Sequence, residues 1–315
     1  MHTCLRREAD GKQKTKVVEN GRDGVTALIE WLARQGVAPT QVHAVLEATG
    51  VDHELTAEAL HAHGFTVSIV NPAQAKSFAR GLAVRTQTDA VDAETLARWG
   101  AWVQPASWTP PPPEVRTLQA LLARQHAVAE DRRRERNRLE KAQATTTPAR
   151  VLTSLNESLT FLETALTRLQ QQIDDHLNGH PHLKADVALL IRIPAVGPKV
   201  AQPLLALLHA RSFRSAEQRA ASLGLVPVER PSGTSVHARA RLAKAGPTRV
   251  RATLYRAAVV AIRYKPHVKA LYERLLARGK AKMAALGAAM RKLVHLCFGV
   301  FKNRRPYQAD YAAAA

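Results

Sequence analysis

Asp89 and Asp92, three residues apart in the stretch TQTDAVDAETLARW (86–99), have the types and spacing that most directly suggest chemistry. On a helix an i, i+3 pair shares one face, so the two carboxylates repel unless a cation or strong donors lie between them. That arrangement suits a hard divalent metal, which takes oxygen ligands. The same stretch also reads as a helix start, where Thr88 or Asp89 would cap free backbone N–H groups and oppose the helix dipole. A third carboxylate, Glu47, closes the apolar segment VHAVLEATG just before a Thr-Gly turn. Open α/β sheets place their sites at the carboxyl ends of strands, although an exposed strand-end glutamate would look the same.

The elements that must position these carboxylates alternate over the first hundred residues. A strand ends near KVVEN, followed by a helix DGVTALIEWLARQ, a strand VHAVLEA, a helix around ELTAEALHAHG, a strand FTVSIV and then NPAQAKSFARGL. This rhythm predicts an α/β domain with some parallel pairing. The tetraproline 110–113 ends it, because consecutive prolines forbid helix and favour stiff, extended chain. Three segments follow: an α/β domain over 1–109, a proline linker with coiled-coil helices over 110–184, and a mainly helical domain over 185–315.

Composition points to the partner. Lysine and arginine outnumber aspartate and glutamate by 46 to 26 in 315 residues, giving a net charge of +20 and a pI near 10.7. This is the footprint of a polyanion binder, with nucleic acid as the leading partner. No apolar run approaches the roughly 18 residues of a spanning helix, and MHTCLRREADGKQ lacks a signal-peptide core, so a membrane partner is not expected and the protein reads as cytoplasmic. Cys4 and Cys297 stand at opposite ends with no metal-ligand spacing around them, which supports neither a disulfide framework nor a zinc site.

In the second segment Leu152, Leu155, Leu159, Leu162, Leu166, Leu169 and Ile173 form a heptad seam. It would serve self-association, or equally an intramolecular hairpin against Leu118, Leu121 and Leu122. RRRERNR, carrying Arg132, Arg133 and Arg134, is a phosphate-contact candidate, although a solvated helix face is the default for such a run. In the third segment LLIRIPAVGPKVAQPLLALL resembles the helix-hairpin-helix DNA-binding motif, in which hairpin and helix N-terminal amides hold a phosphate. Gly197 would permit close backbone approach there, and Lys199 stands at the second helix start. Such a site would not read base sequence.

Taken in order, EATG, VNPAQAKSFA, TQTDAVDAETLA, IPAVGPKVA, ASLGLVP, a Ser-Gly, RARLAKAGPTRVRATLYRAA and YERLLARGKAKMAALGAAMRKLVH resemble the blocks of the Piv/MooV-type DEDD transposases of bacterial insertion sequences. The likeness runs over nearly the whole chain. It implies a RuvC-like (RNase H-like) N-terminal domain, a helical coiled-coil insertion and a C-terminal transposase domain acting on DNA as a homo-oligomer, with a structured guide RNA in some members.

Carried across, the resemblance puts the family's acidic positions on Glu47, Asp89 and Asp92, which would hold Mg²⁺ and neutralise charge on a reacting phosphate. It puts the serine nucleophile at Ser232, with Ser235 as the fallback, and Arg230, Arg239, Arg241 and Lys244 close by in sequence as phosphate-binding candidates. The chain departs from the pattern in two places. Gln87 stands where the family usually has lysine. The family's opening strand with its first aspartate has no counterpart, so MHTCLRREADGKQKTKVVEN corresponds to the second and third strands of the sheet and the first would lie before Met1. Asp10, beside Gly11, reads as a turn residue rather than a replacement ligand. An upstream translation start and a damaged copy both fit this departure. Three functions follow: a recombinase, an RNase H-like nuclease or junction resolvase, and an inactive truncated transposase that only binds nucleic acid.

Overall fold

The computed structural model describes residues 1–48, 52–84, 86, 88–210, 213–228, 241–243 and 246–308. The chain divides into two compact units, Met1–Pro110 and Pro111–Ala315.

The first unit opens with a hairpin of β1 (His2–Arg6) and β2 (Gln13–Val17), antiparallel, with Thr3 opposite Lys16 and Leu5 opposite Lys14. Asp10 is a turn residue, as expected: its carboxylate accepts the Lys12 N–H at 3.1 Å while Gly11 takes the left-handed φ of +68° that glycine tolerates best. β2 lies three residues earlier than KVVEN suggests. Its limits are set by cross-strand bonding, which ends where the Val18 N–H meets the Met1 carbonyl and the Val18 side chain turns into the core. Helix α1 (Arg22–Ala33) buries Val25, Leu28 and Leu32 at helical spacing. After it come β3 (His43–Glu47), α2 (Asp52–Ala62) and β4 (Thr66–Val70), with β3 and β4 parallel and Glu47 opposite Val70. Asn71 caps α3 (Pro72–Gly81), and α4 (Asp89–Val103) completes the unit. The strands form two separate two-stranded sheets rather than one. Leu28, Leu32, Leu60, Phe65 and Val67 make one core; Val70, Ala75 and Trp99 make a second. An α/β unit of this kind is compatible with a RuvC-like domain.

The second unit starts with α5 (Pro113–Gln143), whose first residue is the last of the tetraproline, where proline's fixed φ suits a helix start. It folds back on α6 (Ala149–Gly179) as an antiparallel hairpin: the Gln125 amide donates to Gln170 at 2.8 Å, and the His176 ring meets the Glu114 carbonyl at 2.7 Å. Near the base, Leu118, Leu122, Ile173 and Leu177 are buried; further out the seam from Leu152 to Leu169 is only half-buried. Then follow α7 (Pro181–Ile191), α8 (Pro198–Ala210), α9 (Ala216–Ser222), a short pair of β5 (Pro227–Val228) and β6 (Arg241–Leu242), α10 (Thr248–Tyr264), α11 (Pro266–Ala277) and α12 (Lys282–Asn303). Buried Asp186 on α7 ties α8 through His209 at 2.8 Å and the end of α12 through Arg304.

One expectation needs correction. α12 has 22 residues and is apolar enough by length and composition to cross a membrane. Its apolarity serves the core instead, because Leu286, Ala289, Met290, Leu293, Val294 and Cys297 are all buried against neighbouring helices. Burial also pushes the Cys297 thiol up to about 12.

Candidate functional site

The start of α4, which carries Asp89 and Asp92, is fixed by its helix cap. Thr88, not Asp89, is the N-cap of α4: its hydroxyl accepts the Val91 N–H at 3.4 Å, and its carbonyl accepts the Asp92 N–H at 2.9 Å. Neither aspartate is needed as the cap residue. Asp89 projects outward with its side chain 83% exposed and lies 3.9 Å from the His2 ring on β1. Glu47 stands at the carboxyl end of β3, and its carboxyl is held above the usual carboxylate range by burial first and by the charge of Asp92 second. The fold therefore brings Glu47 and Asp92 within electrostatic reach although 45 positions separate them in sequence. Among the described residues, no group of three or more His, Cys, Asp or Glu side chains is arranged to hold a metal. A carboxyl held up by burial and by a neighbouring carboxylate is nevertheless one of the one or two carboxylates that Mg²⁺ uses when substrate phosphates supply its other ligands.

In the second unit the turn between α7 and α8 is fixed by two apolar plugs. Ile193 and Val196 are buried, with the Ile193 N–H on Leu190 at 3.0 Å and the Val196 N–H on Ile193 at 2.9 Å. Between them Ala195 takes a left-handed φ of +73°, a conformation that costs a non-glycine residue about 1–2 kcal/mol. Gly197 then starts α8, its carbonyl accepting the N–H groups of Val200 and Ala201, each at 2.9 Å. A Cβ on Gly197 would meet nothing within 4 Å, so the space over this backbone is open. Lys199 is exposed beside it.

The arginine run is less available than its sequence suggests. Arg133 pairs with Glu130 at 2.9 Å, Arg134 with Asp131, and Arg132 and Arg136 both face Glu163 of α6 at 3.9 and 3.3 Å. Helical spacing and the facing helix supply the counter-charges that a reading of RRRERNR in isolation misses. Ser232, Ser235, Arg230, Arg239 and Lys244 lie outside the described residues, as does Gln87. The strand pair that brackets residues 229–240 is described. Arg241, exposed, lies opposite Val228, and the Ala243 N–H reaches the Val226 carbonyl at 2.9 Å. Leu242 is seated on α12 so closely that a Cβ at Gly287 would come within 3.3 Å of it.

A transposase family model with DEDD in its name matches residues 1–148, and a second, described as "Transposase IS116/IS110/IS902 family", matches residues 187–273. The pilin gene-inverting proteins of Moraxella lacunata and Moraxella bovis are each 31% identical over 291 residues, 91% of this chain and 88% of theirs. The chain belongs to the IS110 family of DEDD transposases. A further member, the IS110 uncharacterized 43.6 kDa protein of Streptomyces coelicolor, is 28% identical over 164 residues, covering 52% of this chain and 39% of that one. Within this family member, Glu47, Asp89 and Asp92 fall in the first matched region, and Gly197, Lys199 and Arg241 in the second. His2 is the neighbour that sequence reasoning missed. It carries no motif, and only the placement of β1 beside the start of α4 brings it to Asp89.

Proposed function

We propose that this IS110-family chain is a DNA recombinase that cuts and rejoins element DNA. The observation that carries the reading is the Glu47 carboxyl, raised by burial and by Asp92 at the end of a parallel strand. Glu47 and Asp92 would hold Mg²⁺, with Asp89 at the exposed rim; bound there, the ion neutralises charge developing on a phosphate. The Ser232 hydroxyl is the nucleophile: its oxygen bonds to phosphorus, the deoxyribose oxygen departs with a proton, and reversal of the same step on a second strand rejoins DNA. Arg241, with Arg239 and Lys244, draws the anionic phosphate to that loop. The α7–α8 turn holds duplex backbone through the Gly197 and Lys199 amides, independent of base sequence. Target choice then falls to a guide RNA, and the half-buried α6 seam serves self-association.

One observation favours a second reading, a binder without strand transfer: the absence of a three-ligand cluster among the described residues. The experiment is recombination of element-end DNA with Mg²⁺, read on denaturing gels for protein-linked strands, with and without ribonuclease. Wild type should give a linked product, Ser232→Ala none, and Asp92→Asn a reduced rate with binding intact. Full recombination by Ser232→Ala removes the serine assignment. Binding with no cleavage by any variant selects the second reading.

A further inference from the structure

Helix α10 packs one face on the core and leaves the other open. Val250, Leu254, Ala257, Ala258 and Ala261 are buried, while Tyr255, Arg256, Val260, Arg263 and Tyr264 are exposed, Tyr264 at 76% and Val260 at 45%. Tyr272, on α11, packs against the core instead. At about 3.6 residues per turn, Arg256 and Arg263 share one line along the open face, roughly 10 Å apart. Tyr255 and Tyr264 are separated by roughly two and a half turns, so they stand on opposite flanks of that line. The charge on this face is uncompensated. α10 carries no Asp or Glu, and among the described residues neither Arg256 nor Arg263 has an ion pair, whereas Arg133 and Arg134 of α5 have one each. Arg249 lies on the same line one heptad earlier. Burial holds its guanidinium below the usual range, and His126 on α5 is lowered by burial first and by the Arg249 charge second.

We propose that the open face of α10 is a track for unpaired DNA, with Arg256 and Arg263 on its phosphates and Tyr264 and Tyr255 stacked on its bases. This rests on the reading that the chain cuts and rejoins DNA, since strands that exchange partners leave their duplex on the way. The chemistry of the face selects the occupant. Unpaired guanidinium groups call for an anion, and exposed rings with Val260 between them call for flat apolar surface. The bases of a duplex keep their faces against one another, whereas an unpaired strand offers phosphates and base faces together. Unpaired RNA shares both, but its 2′-hydroxyl is a donor for which α10 presents no carboxylate or carboxamide, and the exposed Ala252 and Val260 suit deoxyribose.

The test is fluorescence anisotropy of the full chain with a labelled oligo(dT) of about twelve nucleotides, within the span of single-strand sites, and with a duplex of the same length. Tyr264→Ala should weaken oligo(dT) binding roughly 5- to 150-fold, the loss of one stacked base, and leave duplex binding unchanged. Tyr264→Phe, which keeps the ring, should retain most of the wild-type affinity. Arg256→Ala combined with Arg263→Ala should lower the slope of log affinity against log salt for oligo(dT) by about 1.4, the share of two single-strand phosphates. All three positions are exposed, so the variants should keep native circular dichroism and melting. In the wild type, an oligomer carrying 5-iodouracil should photocrosslink to Tyr264 or Tyr255. The track alone is refuted if duplex binds and oligo(dT) affinity survives Tyr264→Ala, or if that variant loses duplex and single strand equally. It is refuted too if oligo(U) binds more tightly than oligo(dT) through Tyr264, since RNA would then be the occupant. Binding of neither strand nor duplex by the wild type overturns the DNA reading itself, and the track with it.

Discussion

Replacing Gly197 with alanine separates backbone geometry from charge at the α7–α8 turn. The structure gives no steric reason for glycine in the free protein, since the φ of Gly197 is not positive and an added Cβ meets nothing within 4 Å. Alanine is a poorer N-cap by some tenths of a kcal/mol, and restricting the unfolded chain returns about 0.4–1 kcal/mol. Thermal stability should therefore stay within about a degree or two of wild type, following the usual conversion of a few tenths of a kcal/mol into a melting shift. DNA binding should not stay unchanged, because the methyl group occupies the space through which a phosphate reaches the amides. A hydrogen bond to a charged group contributes about 1.5–3 kcal/mol, so losing one weakens binding roughly 10- to 150-fold. The assay is fluorescence anisotropy with duplex DNA across a salt series. Gly197→Ala should shift the line of log affinity against log salt downward with its slope intact, while Lys199→Ala should lower the slope by about 0.9, the share of one phosphate contact. Undiminished affinity in Gly197→Ala would refute the phosphate role of the turn.

Three further outcomes follow from the structure. Glu47→Gln should stabilise the fold at neutral pH: a carboxyl whose folded pKa is raised binds its proton more tightly in the folded state, so stability falls as pH rises from the unfolded value through the folded one, and the variant's advantage should vanish in acid melts. The effect is on the order of a few tenths of a kcal/mol, since the group is only partly buried and solvent screens it. Leu118→Ala, in a fully buried position, should cost about 2–5 kcal/mol in urea titration. Leu159→Ala, half-buried on the α6 seam, should cost clearly less at low protein concentration. An equal cost would mean that another chain covers the seam, and light scattering would show the oligomer.

Much of this protein is legible from its residues in order. The alternation of strand and helix over the first hundred positions and the helical texture after the prolines are local properties, fixed by side-chain period and by proline's missing N–H, and they need no knowledge of neighbours. The turn role of Asp10 is equally local. Sequence could not decide whether Thr88 or Asp89 caps α4, because both side chains are good acceptors; the choice depends on where the chain enters the helix, and the structure gives the cap to Thr88. Nor could it show that Glu47 comes within electrostatic reach of Asp92, that Glu163 on α6 faces Arg132 and Arg136 on α5, or that α12 spends its apolar face on the core. Each of these brings together residues distant in the chain. The pairing of β1 with β2 and of β3 with β4 belongs to the same class. A strand's period identifies which side chains face inward, but its hydrogen-bonding partner is chosen only when the whole chain packs.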